Sequence, residues 1–285
     1  MTICIAVFAF LLALGIMLYP IISTAHNNKH QSEILTHYQE AVEQADNAEI
    51  QRAKELAIAY NEAIQPGAQL ADAFSNEALL WASEDYKNQL NLTGDGIMGY
   101  VNIPAINVRL PIYHGTDDAT LEIGIGHLLG SSLPVGGEST HTILTAHSGM
   151  ASSKMFTDLP QLKIGDVFYL QVLGETLAYQ VDQIKTVLPH DTTYLGIETG
   201  ADYCTLVTCT PYAVNTHRLL VRGTRIPYEE AEEIVEETEP VEQPAVSKWE
   251  QEYYKGILVG LCIVALIGLV LLAIWLYRRC RHKSR

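Results

Sequence analysis

Two stretches without a charged side chain, residues 3–22 and 256–277, bracket the chain. Each has about the twenty residues that a helix needs to cross ~30 Å of hydrocarbon, so both are predicted to span a bilayer. Arg278, Arg279, Arg281, Lys283 and Arg285 follow directly after the second run, and short basic flanks stay on the cytoplasmic side. If the first run is also a retained span, everything between the two lies outside the cell. The rival reading of the first run is a cleaved signal peptide with Ser23-Thr24-Ala25 as its small-residue cleavage region. That run lacks a basic flank before it and is longer than a usual signal core. The middle of the chain is extracytoplasmic on either reading.

The chain has 285 residues, room for one sizeable core with appendages. Net charge is −15, and without the five basic residues of the tail 13 Lys and Arg face 33 Asp and Glu. Such a surface does not suit a polyanion, and nucleic acid is not expected as a partner. Of five cysteines, Cys4 and Cys262 fall in the apolar runs and Cys280 in the basic tail, leaving Cys204 and Cys209 outside. A separation of five puts these two on opposite faces of a strand, so no disulfide between them is expected.

From His30 to Ile64 apolar residues recur at three- and four-residue steps, a helical pattern that Asp46-Asn47 breaks in two. The pair serves either as a spacer above the membrane or as helices packed on the next domain. Gln65-Pro66-Gly67 ends it. From Gly94 the texture changes to short β-type runs at 97–103, 108–113, 142–146, 166–173, 177–187, 205–209 and 218–225. Seven or eight strands at this spacing, with a hairpin at Gly174-Glu175, predict a closed or nearly closed barrel and not a βαβ design. Residues 229–242 hold eight glutamates with no Lys or Arg, and self-repulsion predicts an extended tether.

The run Thr205-Leu206-Val207-Thr208-Cys209 ends abruptly at a thiol, and after a Pro-containing loop the next run opens with His217-Arg218. Adjacent strand ends would set Cys209 beside Arg218. A thiol of ordinary pKa is mostly protonated at neutral pH, so a nucleophilic cysteine needs a cation or a base nearby. Arg218 is the candidate cation. Six histidines are candidate bases: His114, His127, His141, His147, His190 and His217. Alternation turns His217 away from Arg218, whereas His147 ends a β-run and opens into Ser148-Gly149, a placement that mirrors Cys209. His and carboxylates show no ligand spacing, so neither a metal nor a cofactor is expected.

The segment TLVTC with the downstream NTHRLLVRG resembles the signature of sortases, the membrane-bound cysteine transpeptidases of Gram-positive bacteria, and LTAHSG resembles their histidine segment. The resemblance covers residues 94–223 and implies a mainly β fold: an eight-stranded sortase-type β-barrel with an N-terminal helical extension and flanking transmembrane helices. Carried over, Cys209 is the nucleophile, His147 the acid and base, and Arg218 the group that steadies the oxyanion or the substrate. The second apolar run, the helical extension and the segments MGYVNIP, LPIYHGT, GHLLGSSLPVGG and TCTPY look like class C, the pilus-assembling sortases. That class carries a lid of Asp-Pro and an aromatic residue, and the matching positions here are Asp72-Ala73-Phe74. By resemblance Asp72 pairs with Arg218 and Phe74 covers Cys209. Without the proline its fixed φ is lost, and a looser lid is expected. An Asp at a helix start followed by a core Phe is the alternative.

The resulting division is a transmembrane helix or signal anchor at 1–25, a helical extension with lid at 26–93, the catalytic barrel at 94–227, an acidic linker at 228–255, a transmembrane helix at 256–277 and a basic cytoplasmic tail at 278–285. Leu195, Ile197 and Thr208 are candidates for the substrate groove. The resemblance implies cleavage of an LPXTG-like sorting signal between Thr and Gly through a thioacyl enzyme, with a lysine of another pilin as acceptor. A sortase that anchors surface proteins to peptidoglycan and a non-enzymatic membrane-anchored surface protein are the alternatives.

Overall fold

Runs rich in Val, Ile, Thr, Tyr and Phe extend into eight strands: β1 Ile97–Ile103, β2 Val108–His114, β3 Ile125–His127, β4 Thr140–Thr145, β5 Val167–Val172, β6 Glu175–Val187, β7 Asp202–Thr210 and β8 His217–Ile226. They close into a barrel in the order β1-β2-β3-β4-β7-β8-β6-β5. Neighbours run antiparallel except β2 with β3 and β4 with β7, which are parallel. The computed structural model describes residues 2–64, 70, 72–74, 83–150, 153–237, 255–268 and 270. Two units divide the chain, Ser23–Val241 with the barrel, and Met1–Ile22 together with Glu242–Arg285.

Seven of the strands fall where the β-type runs lie. β3 is the exception, because three residues with a glycine in the middle carry no alternation to read. Gly126 is required there, since a Cβ would meet the Gly115 carbonyl oxygen at 2.3 Å. The β5–β6 hairpin turns at Leu173-Gly174, one residue earlier than the sequence suggests. Both residues have positive φ, +50° and +81°, and Val172 pairs with Glu175, which is the two-residue turn whose twist matches the strands it joins. The barrel interior is filled by residues such as Met98, Ile112, Leu144, Phe168, Leu206 and Val221, all fully buried.

Helices α1, Thr2–Gln44, and α2, Asn47–Ala63, break where expected, with the Asp46 carboxylate accepting from the Ala48 N–H at the start of α2. They are packed helices and not a free spacer. Leu35 and Tyr38 lie with Ile97, Tyr100 and Tyr113, and the Tyr38 hydroxyl donates to Met98 O at 3.1 Å while accepting from Leu173 N at 3.0 Å. On α2, Ala57 is buried in the main core, and the Asn61 amide bonds both the N–H and the carbonyl of Leu133. Two short helices follow, α3 Glu84–Asn88 and α4 Asp118–Ile123.

Two expectations need correction. The acidic segment after the barrel begins as a helix, α5 Tyr228–Glu237, and not as an extended tether. Ala231, Ile234 and Val235 recur at helical spacing and pack on Val167, Tyr169 and Ala178 of the barrel's outer surface, so the glutamates can face water while a narrow apolar stripe docks. Residues 238–254 lie outside the described set. The two membrane spans are not borne out either: among the described residues no helix is long and apolar enough to cross a membrane. Residues 3–22 belong to α1, but many of their side chains lie outside the described set, as does the end of the 256–277 run.

The docking of α5 has a direct test. Ala231 is fully buried, so Ala231→Asp should lower stability by about 2–3 kcal/mol by burying an unpaired carboxylate, read as a shift of the urea midpoint. A loss under ~0.5 kcal/mol, the range of surface substitutions, would mean that the helix is not held on the barrel.

Candidate active site

The thiol, the guanidinium and the imidazole come from three neighbouring strands. β7 and β8 pair antiparallel, with Cys209 directly opposite Arg218. β4 and β7 pair in parallel, with Thr145 beside Val207, and the bond from Ala146 N to Val207 O at 3.1 Å carries the register past the end of β4. Two residues further on, His147 and Cys209 fall level at the same edge of the sheet.

Side chains stitch this edge together. The Thr208 hydroxyl donates to Ala146 O at 2.8 Å, and the Ser148 hydroxyl donates to Cys209 O at 2.7 Å. Thr208, a groove candidate from sequence, is fully buried, and its hydroxyl holds the strand pair together. Ser148 was read from the sequence only as the start of a loop, and its tie to Cys209 was not foreseen. The signal that could have found it is a hydroxyl placed immediately after a histidine at a strand end, where a short side chain readily bonds nearby backbone.

Asp72, Ala73 and Phe74 lie against this edge. The Asp72 carboxylate accepts two bonds from Arg218, from Nε at 2.9 Å and from Nη2 at 2.6 Å. Phe74 N–H closes a turn on Asp72 Oδ1 at 3.4 Å. The ring of Phe74, expected over Cys209, stands 5.5 Å from the His147 ring and 4.9 Å from the Arg218 guanidinium carbon, centre to centre and carbon to centre. Ala73, where a proline was expected, is 3% exposed among Leu128, Ile143, Val187, Leu195, Val207 and Leu220. The three residues are therefore docked and not loose, because burial and a two-pronged ion pair replace the fixed φ.

Leu195 belongs to that apolar floor. Ile197 does not: it lines a separate open cavity of about 1020 Å³ with Lys54, Gly136, Asp202 and Arg225, whose lining includes none of Cys209, His147 and Arg218. Four of the other five candidate bases are occupied elsewhere. His127 is fully buried between the Tyr86 hydroxyl and Ser132 O, and His141 between Gly196 O and the Thr205 hydroxyl, and burial pushes both imidazoles down to about 4. His114 bridges Gly96 O and Gln89 O. His217 turns to the Thr216 hydroxyl.

Charge at the site is finely opposed. Burial pushes the Cys209 thiol above its ordinary value, Arg218 pulls it down, and Asp72 pushes it up again. Burial also pushes His147 below the usual imidazole range, against the pull of Asp118 and Glu122 on α4. Both groups rest neutral at neutral pH, a thiol beside an imidazole able to accept its proton.

A sortase-domain family model matches residues 101–226. Among curated proteins, sortase D of Bacillus subtilis (strain 168) is 29% identical over 131 residues, a match that spans 45% of this chain and 63% of that protein's length. Among solved structures, sortase C of Streptococcus pneumoniae is 47% identical with a TM-score of 0.65, covering 69% of this chain and 97% of that one. Sortase C-1 of Actinomyces oris is 45% identical with a TM-score of 0.58, covering 62% and 99%. Likeness of this extent, over a barrel whose strand ends hold Cys209, His147 and Arg218 together, establishes that the chain belongs to the sortase family.

Proposed function

We propose that the chain is a cell-surface cysteine transpeptidase that cleaves an LPXTG-like sorting signal between Thr and Gly and joins the released pilin to a lysine amine of another pilin. The observation that carries this reading is the direct pairing of Cys209 with Arg218, level with His147. The solved sortase C of Streptococcus pneumoniae, described for its catalysis and pilin substrate specificity, supports the choice of substrate.

His147, neutral at rest, takes the thiol proton as Cys209 Sγ attacks the threonine carbonyl carbon. The oxyanion that forms lies against the Arg218 guanidinium, where one such donor contributes about 3 kcal/mol to the transition state. His147 then gives its proton to the glycine nitrogen as the C–N bond breaks, leaving a thioacyl enzyme and a free amine. A neutral lysine amine attacks the thioester, His147 takes its proton and passes it to Cys209 Sγ as the C–S bond breaks, which releases an isopeptide-linked product and restores the neutral thiol and imidazole. On this reading the barrel acts at the cell surface, so that substrate and acceptor are both surface proteins.

Asp72-Ala73-Phe74 acts as a lid. While Asp72 holds Arg218, the guanidinium is shared and the thiol stays protonated.

Incubation of the wild-type protein with a purified pilin bearing the sorting signal should give SDS-resistant ladders and a thioacyl adduct on Cys209. Cys209→Ala should give neither, and His147→Ala should slow adduct formation by at least ~10³-fold. Transfer to a cell-wall peptide without ladders would instead favour the anchoring reading, and ladders from Cys209→Ala would end the transpeptidase account.

Lid removal shows in thiol reactivity. Asp72→Ala should shift the pH profile of Cys209 alkylation by iodoacetamide to lower pH, because a carboxylate that raises the thiol pKa is gone, and so raise the rate at neutral pH. Phe74→Ala should act in the same direction by exposing the site. Profiles unchanged in both variants would remove the lid from the account.

A further inference from the structure

The buried hydroxyls of β4 and β7 have hydrogen-bond partners in all cases but one. Thr140 donates to Gly137 O, Thr142 to Leu133 O and Thr208 to Ala146 O, while the Thr205 hydroxyl meets His141. Thr145 is fully buried, with 0% accessible surface, and among the described residues its hydroxyl has no hydrogen-bond partner. A buried hydroxyl without a hydrogen bond costs free energy, and a valine would fill nearly the same volume without that cost.

Register shows where the Thr145 side chain faces. In a parallel pair, residues side by side share a face, and Thr145 lies beside Val207 as Leu144 lies beside Leu206. Leu144 and Leu206 are in the barrel interior. Val207 is on the other face, packed with Leu220, Leu195, Ala73 and Phe74. Thr145 therefore lies on the face that carries this floor, two residues before His147 and next to the strand that bears Cys209.

The neighbours that make up this floor, Leu128, Ile143, Val187, Leu195, Val207 and Leu220, are aliphatic. An extended peptide laid on it brings a carbonyl and an N–H for every residue, and each loses its water. Aliphatic side chains cannot replace those bonds, whereas one threonine hydroxyl can, as donor to a peptide carbonyl.

We infer that the Thr145 hydroxyl is a substrate-binding group: it hydrogen-bonds the main chain of the sorting-signal peptide when Asp72-Ala73-Phe74 leave the groove. The inference rests on the transpeptidase reading above. It makes Thr145 a determinant of affinity and not of chemistry, since its hydroxyl serves the peptide's backbone while Cys209, His147 and Arg218 serve the reacting carbonyl.

The test uses the full chain in detergent, carrying Cys209→Ala to stop turnover and Asp72→Ala to free the groove, and a fluorescein-labelled peptide with the sequence Leu-Pro-Glu-Thr-Gly. Adding Thr145→Val should weaken binding by about five- to tenfold, the worth of one hydrogen bond, measured by fluorescence anisotropy. Thr145→Ser should bind within about twofold of the parent. The urea midpoint of the Val variant should be equal to or above the parent's, because an unpartnered hydroxyl has been removed. A role confined to the folded scaffold would lower the midpoint instead, and that result overturns the inference. So does a Val variant that binds as tightly as the parent, or a Ser variant that loses as much as Val. Absence of binding by the parent itself is a different failure, for it rejects the sorting-signal reading on which the inference stands.

Discussion

Parallel strands bring ends of like polarity to one edge of a sheet, and main-chain bonds then hold level residues that are far apart in sequence. The pairing of β4 with β7 does this here. It sets Ala146 against Val207 and against Thr208, the latter 62 positions away in the chain, and everything else at the site follows from that register. β8, bonded to the other side of β7, brings Arg218 opposite Cys209. Ser148 then ties the backbone beyond His147 to the carbonyl of Cys209 itself. Cys209, His147 and Arg218 thus stand at strand ends, where their placement is set by ladder bonds rather than by loop packing.

Electrostatics at this edge are governed by one guanidinium. Burial alone would leave Cys209 a poor nucleophile and His147 a weak base for it, since both are held in their neutral forms. Arg218 is the group that favours charge on the thiol, and it is also the partner of Asp72. The same desolvation that suppresses the resting thiolate strengthens the guanidinium's hold on any anion formed beside it. A neutral thiol and imidazole at rest, with a cation aimed at the place where negative charge develops, is an arrangement that favours the transition state over the ground state.

Much of this was legible in the chain and some was not, for identifiable reasons. Strand ends are marked by local chemistry: β-branched residues that stop at Cys209 and at Ala146-His147, and a polar opening at His217-Arg218. Period-two alternation was enough to exclude His217 and to separate Cys204, buried in the core, from Cys209. What alternation cannot give is pairing between distant strands, so the register that levels His147 with Cys209 had no sequence signature beyond the resemblance. Hydroxyls were misjudged for a related cause. Whether Thr208 or Thr145 has a free hydroxyl depends on a partner contributed by another strand, and neither residue's neighbours in sequence reveal it. Ile197 was misplaced because the loop before β7 sends Leu195 to the groove floor and Ile197 to a different cavity. The acidic helix α5 was missed because charge density was weighed without the three apolar positions that dock it.

On the lid reading, the ion pair between Asp72 and Arg218 sets how often the groove is open. Its side chains are 21% and 11% exposed and share two short bonds; a partly buried pair of this geometry contributes about 1–3 kcal/mol. Opening does more than clear the floor. A guanidinium shared with the Asp72 carboxylate offers less positive charge to an oxyanion at Cys209, so lid docking and catalysis compete at a single side chain. A substrate that displaces the lid releases the cation required for its own reaction, and the energy of the lost ion pair is offset where the developing charge takes the carboxylate's place.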